Sequence, residues 1–318
     1  MDAMTARAEQ IETFLASTEW AQSARQLVAG DASNRRYDRL TRADRHTAIL
    51  MDAPPDKGED VRPFIRIANY LTDSGLSAPK IYAQDEVNGL LIIEDLGDDL
   101  FATLMQDDPS VEVPLYRAAV DALIQLHDTG PLDLPLCDSD WFRTMNALIF
   151  DWYATGTPDD QVAAFHDAFA PLATRLDTDS KVVILRDYHA QNLLWLPDRN
   201  GVARVGQLDF QDALLGHPAY DLVSILQDAR RDVDPRIEAT MIDRYLSGTG
   251  ADREPFMAAY AILGAQRNLC ILGIFARLCQ RDGKPHYVDL IPRVWAYVQR
   301  ATKEFLESMK ARCATSPS

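Results

Sequence analysis

Cysteine, positive charge and long apolar runs are all scarce in this 318-residue sequence. Its four cysteines have no spacing typical of a metal site, so we expect reduced thiols in a cytoplasmic protein and no disulfide framework. No apolar run approaches 18 residues, which argues against a transmembrane helix. Residues 1–14 carry acids and lack the apolar core of a secretory signal, so we expect no secretory signal there.

The shortage of positive charge limits the possible partners. Lys and Arg number 32 against 48 Asp and Glu, which gives a formal net charge of -16. A field of that sign repels nucleic-acid phosphates and anionic membranes, so neither is expected as a partner. ATP stays possible, because a local group of Arg side chains, backbone amides and magnesium can bind phosphate inside an acidic protein. We expect a monomer or a weak dimer.

What is present divides into a strand-rich first part and a helical second part. The first part has predicted strands within 26–40 and at 47–51, 81–84 and 90–93, with helices at 6–17 and 63–72. The second part has predicted helices near 115–126, 139–153, 159–175, 218–230, 235–247, 254–280 and 288–310. Two apolar strands interrupt them within 182–210, and the tail after Arg312 is predicted to be disordered. The sequence therefore predicts an α+β protein with lobes at 1–95 and 96–318.

A polar loop between two apolar runs carries the chemistry. It lies between Val182–Leu185 and Leu193–Leu196, and it contains Asp187 and Asn192. Asp209 follows Asn192 by 17 residues. Phosphoryl transfer needs one carboxylate to orient and deprotonate a hydroxyl, and hard oxygen ligands for the magnesium that neutralises the triphosphate. This spacing supplies both kinds of group.

Three ordered motifs resemble one superfamily. Asp187, His189 and Asn192 fall on the pattern His-Gly-Asp-x-His-x-x-Asn of the aminoglycoside phosphotransferase and choline kinase superfamily. Leu208–Ala213 resembles its Ile-Asp-Phe-x-x-Ala, and Gly216–Leu222 resembles its Gly-x-Pro-x-x-Asp-Leu. The resemblance implies a two-lobed protein-kinase-like fold, with a small antiparallel sheet in the first lobe and a helical second lobe.

Within that superfamily the sequence resembles the bacterial anomeric kinases of N-acetylmuramate and N-acetylglucosamine. The similarity lies in Gly30–Tyr37, Met51–Pro55, Leu185–His189 and Gln266–Leu269. It implies transfer from ATP, with Mg²⁺, to an amino sugar in peptidoglycan recycling. An aminoglycoside, choline or homoserine-like acceptor is the alternative within the superfamily.

The resemblance assigns roles around the polar loop. Asp187 is expected to accept the proton of the acceptor hydroxyl, and Asn192 and Asp209 to bind magnesium. Asp221 is expected to be a structural acid that holds the backbone of the loop. For each of Asp187 and Asn192 alone, the alternative is an ordinary turn cap, since Asp and Asn favour turns.

The nucleotide-binding residues implied by the resemblance lie in the first lobe and in the connector. Ser33, Asn34 and Arg35 are expected to cover the phosphates. The backbones of Glu94 and Leu96 are expected to hydrogen-bond the adenine.

The acceptor is expected in the helical lobe. The side chains predicted to contact it are Arg186, His189, Asn146, Asp151, Trp152 and Arg267. Arg267 is a candidate for a substrate carboxylate, such as the lactyl group of N-acetylmuramate, or for pairing with a neighbouring Asp. His189 is equally a candidate for bracing the loop, and Trp152 for the core.

Two departures from the superfamily pattern matter for the chemistry. Leu185 stands where the pattern has His, and the strand at 47–51 has no Lys to hold the phosphates, with Met51 nearest that position. Arg35 or Arg36 is the candidate for the missing charge, and Glu59 is the candidate for the helix Glu that normally pairs with that Lys, although the Lys itself is absent here. A catalytically silent nucleotide-binding protein is therefore the rival interpretation.

Overall fold

The computed structural model describes residues 3–30, 34–177 and 181–315. Its helices are α1 Ala3–Ala16, α2 Arg62–Asp73, α3 Phe101–Asp107, α4 Glu112–Asp128, α5 Ser139–Leu148, α6 Asp159–Asp177, α7 Ala219–Leu226, α8 Pro235–Thr249, α9 Arg253–Gln280 and α10 Ile291–Thr315. Its strands are β1 Ala24–Gly30, β2 Arg36–Thr41, β3 Thr47–Asp52, β4 Ile81–Asp85, β5 Leu90–Glu94, β6 Val182–Ile184, β7 Leu193–Trp195, β8 Val205–Gln207 and β9 Leu214–Gly216.

Contacts divide the chain into two compact units. The first comprises Met1–Asp107 and Gln191–Asp212, and the second comprises Asp108–Ala190 and Ala213–Ser318. The first unit thus extends beyond the predicted division at residue 95 and also takes in a segment about 100 residues further along the chain. The division falls inside the polar loop, between Ala190 and Gln191.

The first unit is built on an antiparallel sheet in the order β1-β2-β3-β5-β4. Successive side chains of a strand point to opposite faces, so each strand contributes to two environments. One face packs against α1, and the buried residues of that core are Ile11, Phe14, Leu15, Trp20, Leu40, Ala48, Leu50, Leu90 and Ile92. The opposite face lines a cavity. The turn at Asn88-Gly89 needs glycine, because a Cβ at Gly89 would lie 2.0 Å from the carbonyl oxygen of Ala53.

The β7–β8 hairpin is held by the first unit through backbone contacts. The N–H of Gln207 donates to the carbonyl of Ser77 at 2.8 Å, and Leu100 forms an isolated bridge with Leu194. These bonds complete the edges of a short hairpin that would be marginal in isolation. They also fix where the residues that follow each strand must lie.

The second unit is helical around α9. An 18-residue window of α9 is apolar enough to cross a membrane by length and composition, yet 78% of it is buried in the fold. It is therefore the core helix of this unit. Gly273 permits close packing there, since a Cβ would lie 2.4 Å from the backbone of Leu148.

The two strands that flank the polar loop have different partners, since β6 pairs with β9 and β7 pairs with β8. Several predicted elements differ from those observed. Helix α3 and strand β9 were not predicted, since elements of seven and three residues carry little periodicity. The predicted helix 139–153 gives way after Leu148 to a π-helical turn, Ile149–Tyr153. Helix α10 continues to Thr315, past the point where the tail was predicted to be disordered.

Candidate active site

A cavity of about 340 Å³ lies within the first unit. Its walls are mainly apolar and include Val28, Ile49, Ile93 and Leu208. Its polar lining residues are Tyr37, Arg39, Glu94, Asp95, Asn192, Asp209 and Gln211. An apolar slot with a few convergent polar groups is typical of a site for a flat heterocyclic ligand.

One end of the cavity is formed by the connector that follows β5. The N–H of Glu94 donates to the carbonyl of Lys80 at 2.7 Å, and its carboxylate pairs with Arg199 at 2.6 Å. The side chain of Asp95 accepts the N–H of Gly97 at 3.1 Å, which shapes the turn. Both predicted adenine contacts, Glu94 and Leu96, line the cavity.

The other polar end is formed by the two residues that flank the β7–β8 hairpin. The N–H of Leu208 donates to the carbonyl of Asn192 at 2.9 Å, and Asn192 Nδ2 lies 3.4 Å from Asp209 Oδ2. Phe210 is fully buried against Phe64, with ring centroids 4.9 Å apart. Anchoring Phe210 in the core turns the preceding carboxylate of Asp209 outward to the cavity.

Asn192 and Asp209 fit a magnesium site. An amide oxygen and a carboxylate are hard oxygen ligands of the kind that Mg²⁺ takes, and the ion usually keeps several further ligands from phosphate and water. Gln211 Nε2 donates to Asp209 Oδ1 at 2.7 Å and so orients that carboxylate. Within the described ranges, no group of three or more His, Cys, Asp or Glu side chains has the arrangement of an all-protein metal cage.

The first unit also contains an ion pair beside the cavity. Arg35 Nε lies 2.8 Å from Glu59 Oε2, and both side chains are largely buried, at 13% and 12% exposed. The N–H of Asn34 donates to the other oxygen of Glu59 at 3.1 Å. Burial would lower the pKa of Arg35, but Tyr37, which lines the cavity, and Glu59 raise it overall. Ser33, the third residue of the predicted phosphate turn, lies outside the described residues.

In the second unit, Asp221 holds the backbone of the polar loop. Its Oδ2 accepts the N–H of Leu185 at 2.6 Å, and its Oδ1 accepts the N–H of Arg186 at 2.9 Å. Asp187 follows directly and is half-buried, and Tyr188 anchors the loop from its other side by donating to the carbonyl of Ala119 at 2.9 Å. Two acceptors on one carboxylate thus fix the two residues before Asp187.

Burial changes the titration of two groups at this loop. It raises the pKa of Asp221 to about 7, against the opposing effect of its two N–H donors and of Arg267. Burial also lowers the pKa of His189 well below its usual range, with the charges of Arg230 and Arg267 acting in the same direction. His189 is therefore a neutral imidazole at neutral pH.

Two further residues support the loop and were missed in the sequence. Ser224 Oγ donates to the carbonyl of Arg186 at 3.1 Å and accepts from Arg267 Nη2 at 2.7 Å. Asp228 is buried and accepts the N–H of Ala190. No local signal identifies either one, since a Ser inside a helix and an Asp just after it look the same in sequence whether buried or exposed.

The residues predicted to contact the acceptor lie in different environments. Asn146 is fully buried and accepts from Gln266 Nε2 at 3.1 Å, and Arg267 is 6% exposed. Asp151 is exposed and Trp152 is half-buried, both on the π-helical turn. Arg186 is half-buried beside Asp187.

Sequence comparisons place relatives across most of the chain. A profile of the phosphotransferase enzyme family matches residues 24–259. The N-acetylmuramate/N-acetylglucosamine kinase of Caulobacter vibrioides is 40% identical, covering 90% of this chain and 89% of that kinase. The kinase of the same name from Pseudomonas aeruginosa is 35% identical, covering 86% and 82%.

Structural comparisons address the fold. A choline/ethanolamine kinase family protein from Mesorhizobium loti matches with a TM-score of 0.67 and 13% identity, covering 96% of this chain and 98% of that protein. An ADP-bound aminoglycoside phosphotransferase matches with a TM-score of 0.63 and 13% identity, covering 96% and 99%. At this identity the likeness concerns the fold alone, and it confirms the predicted protein-kinase-like fold class.

Proposed function

This chain belongs to the phosphotransferase enzyme family, and we propose that it phosphorylates the anomeric hydroxyl of N-acetylmuramate and N-acetylglucosamine with ATP and Mg²⁺. It is a kinase. The observation that carries the choice of acceptor is the 40% identity, over 90% of the chain, to a kinase named for these two sugars. The reaction belongs to the recycling of cell-wall amino sugars in the cytoplasm.

The adenine of ATP occupies the cavity of the first unit. The carbonyl of Glu94 accepts from its amino group, and the N–H of Leu96 donates to its ring nitrogen. Three observations support these contacts. Both residues line the cavity, the ion pair with Arg199 fixes the side chain of Glu94, and no hydrogen bond among the described residues takes the N–H of Leu96.

The phosphates lie between the turn before β2 and the end of the β7–β8 hairpin. Ser33 and the backbone of Asn34 cover them, and Arg35 supplies the positive charge that the strand lacks. Asn192 and Asp209 hold the magnesium, which neutralises charge on the phosphate oxygens when bound. Two observations support that role: the side chains are adjacent, with Asn192 Nδ2 3.4 Å from Asp209 Oδ2, and each of them also has an oxygen that could bind the ion.

Asp187 is the base of the reaction. Its carboxylate takes the proton of the anomeric hydroxyl while that oxygen attacks the γ-phosphorus in line, and the bond to the β-phosphate oxygen breaks to leave ADP. Asp221 acts as a positioning residue, because its bonds to Leu185 and Arg186 fix the backbone from which Asp187 projects.

The burial of the predicted acceptor residues refines their roles. Arg186, Asp151 and Trp152 retain exposed surface and are proposed to contact the sugar. The burial of Asn146, His189 and Arg267 favours support of that surface from within. The chain acts as a monomer or weak dimer on a small molecule, with no nucleic-acid or membrane partner.

A coupled ADP-release screen tests the acceptor. We expect turnover of both N-acetylated amino sugars, with phosphorus NMR locating the new phosphate on the anomeric oxygen. Aminoglycosides, choline and homoserine complete the panel. Turnover of one of those together with none of either sugar would contradict the proposed acceptor.

Two substitutions test the mechanism in the same assay. Asp187→Asn should lower kcat by about 10²–10⁴-fold, because it removes the base. Asp209→Ala should abolish the magnesium dependence together with turnover. The matched control is Asp198→Asn, which removes an exposed carboxylate from the turn of the same hairpin. ATP binding with no turnover of any acceptor by the wild-type chain would support the silent nucleotide-binding protein instead.

A further inference from the structure

We propose that the guanidinium of Arg186 binds a carboxylate of the acceptor and so sets the preference of this kinase for a carboxylated over a neutral amino sugar. The inference rests on the proposed function, whose two sugars differ in this respect. Muramate is a carboxylic acid that is ionised at neutral pH, whereas N-acetylglucosamine is uncharged. An active site that accepts both sugars therefore needs a group that binds the carboxylate of N-acetylmuramate and is not required for binding N-acetylglucosamine.

The backbone at Arg186 gives the first argument. Arg186 has a φ of 70°, in the left-handed region that glycine adopts without strain. Asp221 accepts its N–H and Ser224 donates to its carbonyl, so the backbone is held in this conformation from both sides. A large residue at a position that favours glycine points to a role for its side chain.

The second argument is the placement of the side chain. The guanidinium carbon of Arg186 lies 5.5 Å from the ring centroid of Trp141. Trp141 is itself held in place, since its backbone N–H donates to Asp138 at 3.0 Å and its ring packs edge-to-face with Tyr220, with ring centroids 6.1 Å apart. A guanidinium is planar and presents its N–H groups as a fork, which is the geometry that binds a carboxylate through two parallel bonds.

The third argument concerns the neighbouring charges. Arg186 directly precedes Asp187 in the sequence, so a carboxylate bound by Arg186 is held by the residue next to the proposed base. Arg267 is the other cation predicted to meet the acceptor, but it is 6% exposed and donates to Ser224 at 2.7 Å. Burial raises the pKa of the nearby Cys270 thiol to about 11, so that group stays uncharged beside both arginines. Arg186 is half-buried rather than buried, so it is better placed than Arg267 to contact a ligand.

The test compares kcat/KM for N-acetylmuramate with kcat/KM for N-acetylglucosamine in each variant. Arg186→Gln should lower the ratio of the two values about 10–100-fold, the effect of losing a charge-assisted bidentate bond. Arg186→Lys should give an intermediate ratio, because the charge remains and the planar fork is lost. Arg117→Gln, which removes an exposed positive charge from α4 in the same unit, is the matched control and should keep the wild-type ratio.

A second variant acts on the support of Arg186 without changing any charge. Trp141→Leu removes the ring beneath the guanidinium and should shift the ratio in the same direction as Arg186→Gln. Circular dichroism and Tm measurements show whether each variant folds. If Arg186→Gln does not fold, Trp141→Leu still tests the proposal.

The outcomes separate the two proposals. A wild-type chain that phosphorylates neither sugar overturns the proposed function, and this inference with it. A wild-type chain active on both sugars, whose ratio is unchanged in Arg186→Gln and Trp141→Leu, overturns this inference alone. A rise in KM for ATP with an unchanged ratio would assign Arg186 to the phosphoryl donor and would also overturn it.

Discussion

At the scale of single residues, backbone strain occurs at one candidate site residue in each of the two units. Among the described residues, the non-glycine positions with positive φ are Arg45, Arg186 and Asp209. Each such position costs about 1 kcal/mol or more and persists only where its surroundings determine it. Hydrogen bonds from two side chains fix Arg186, and the buried ring of Phe210 fixes Asp209. Two of the three strained positions, Arg186 and Asp209, are thus residues proposed to bind substrate and metal.

The lysine that strand β3 lacks raises the question of which single residue supplies the positive charge for the phosphates. Met51 is buried and apolar, so it provides no charge for the phosphates. Arg35 is paired with Glu59 at 2.8 Å beside Tyr37, which lines the cavity, whereas Arg36 is more exposed and pairs with Asp38. We propose that this arginine, fixed by a carboxylate, takes the place of the lysine–glutamate pair of the kinase template.

We therefore expect Arg35→Gln to raise the KM for ATP about 10-fold or more, the effect of one charge-assisted hydrogen bond. Arg36→Gln is the comparison at the neighbouring position and should have the smaller effect, because its guanidinium is held at Asp38. The measurement is KM for ATP at saturating acceptor and magnesium. An equal or larger effect at Arg36 would show that Glu59 holds Arg35 for stability alone.

At the scale of elements, the polar loop is held by one helix and the turn that ends it. Asp221 and Ser224 lie on α7, and Asp228 follows its last turn. Together they bind backbone groups of Leu185, Arg186 and Ala190. Burying Asp221 is tolerable because backbone N–H groups satisfy both of its oxygens. The loop is thus preorganised before any substrate arrives.

This arrangement predicts how stability depends on pH. The folded-state pKa of Asp221 is about 7, above its ordinary value of 3.8, so its contribution to stability is fully present below the lower value and is lost as pH rises through 7. From this residue alone, the free energy of unfolding should fall by roughly 2 kcal/mol between pH 5 and pH 7. Asp221→Asn cannot ionise and should remove that part of the slope.

Urea denaturation of the wild type and Asp221→Asn at several pH values measures this effect. The difference in free energy of unfolding between the two proteins should change across pH 5 to 7, whatever constant offset the amide introduces. Asp198→Asn, at an exposed position, should run parallel to the wild type. Parallel lines for Asp221→Asn as well would show that its two N–H donors and Arg267 keep Asp221 ionised throughout.

At the scale of the whole molecule, the net charge of the protein differs from the charge of the groups proposed to bind ATP. The chain carries a net charge of -16, yet it is a kinase whose co-substrate is an anion. We propose that binding such a ligand depends on a few fixed groups, namely Arg35 and the Asn192 and Asp209 side chains that would hold magnesium. A long polyanion would instead meet the summed field.

We accordingly expect no binding of nucleic acid at physiological salt. Fluorescence-anisotropy titration of a labelled duplex and a labelled single strand should show no saturation up to tens of micromolar protein, since an acidic surface offers no release of counterions. The same preparation must turn over ATP, which shows that the protein is active. A micromolar Kd that weakens steeply with salt would contradict the expectation.

The sequence by itself determined the reaction class and the main elements. Asp187, Asn192 and Asp209 are separated by fixed numbers of residues, and the apolar periodicity of α2 and of β3 is a local property of the chain. Such patterns predict helices, strands and motif spacing, because they depend on neighbours within a few residues. The family and the fold class followed from these motifs and are confirmed.

Only the tertiary structure decided which polar residues are buried and which distant segments meet. Arg35 pairs with a residue 24 positions away, and the β7–β8 hairpin belongs to the first unit although the second unit surrounds it in sequence. Arg267 and Arg186 look alike as charged residues beside motifs, but packing buries one and leaves the other half-exposed. Burial and long-range pairing depend on the summed packing of many segments, so no local spacing encodes them.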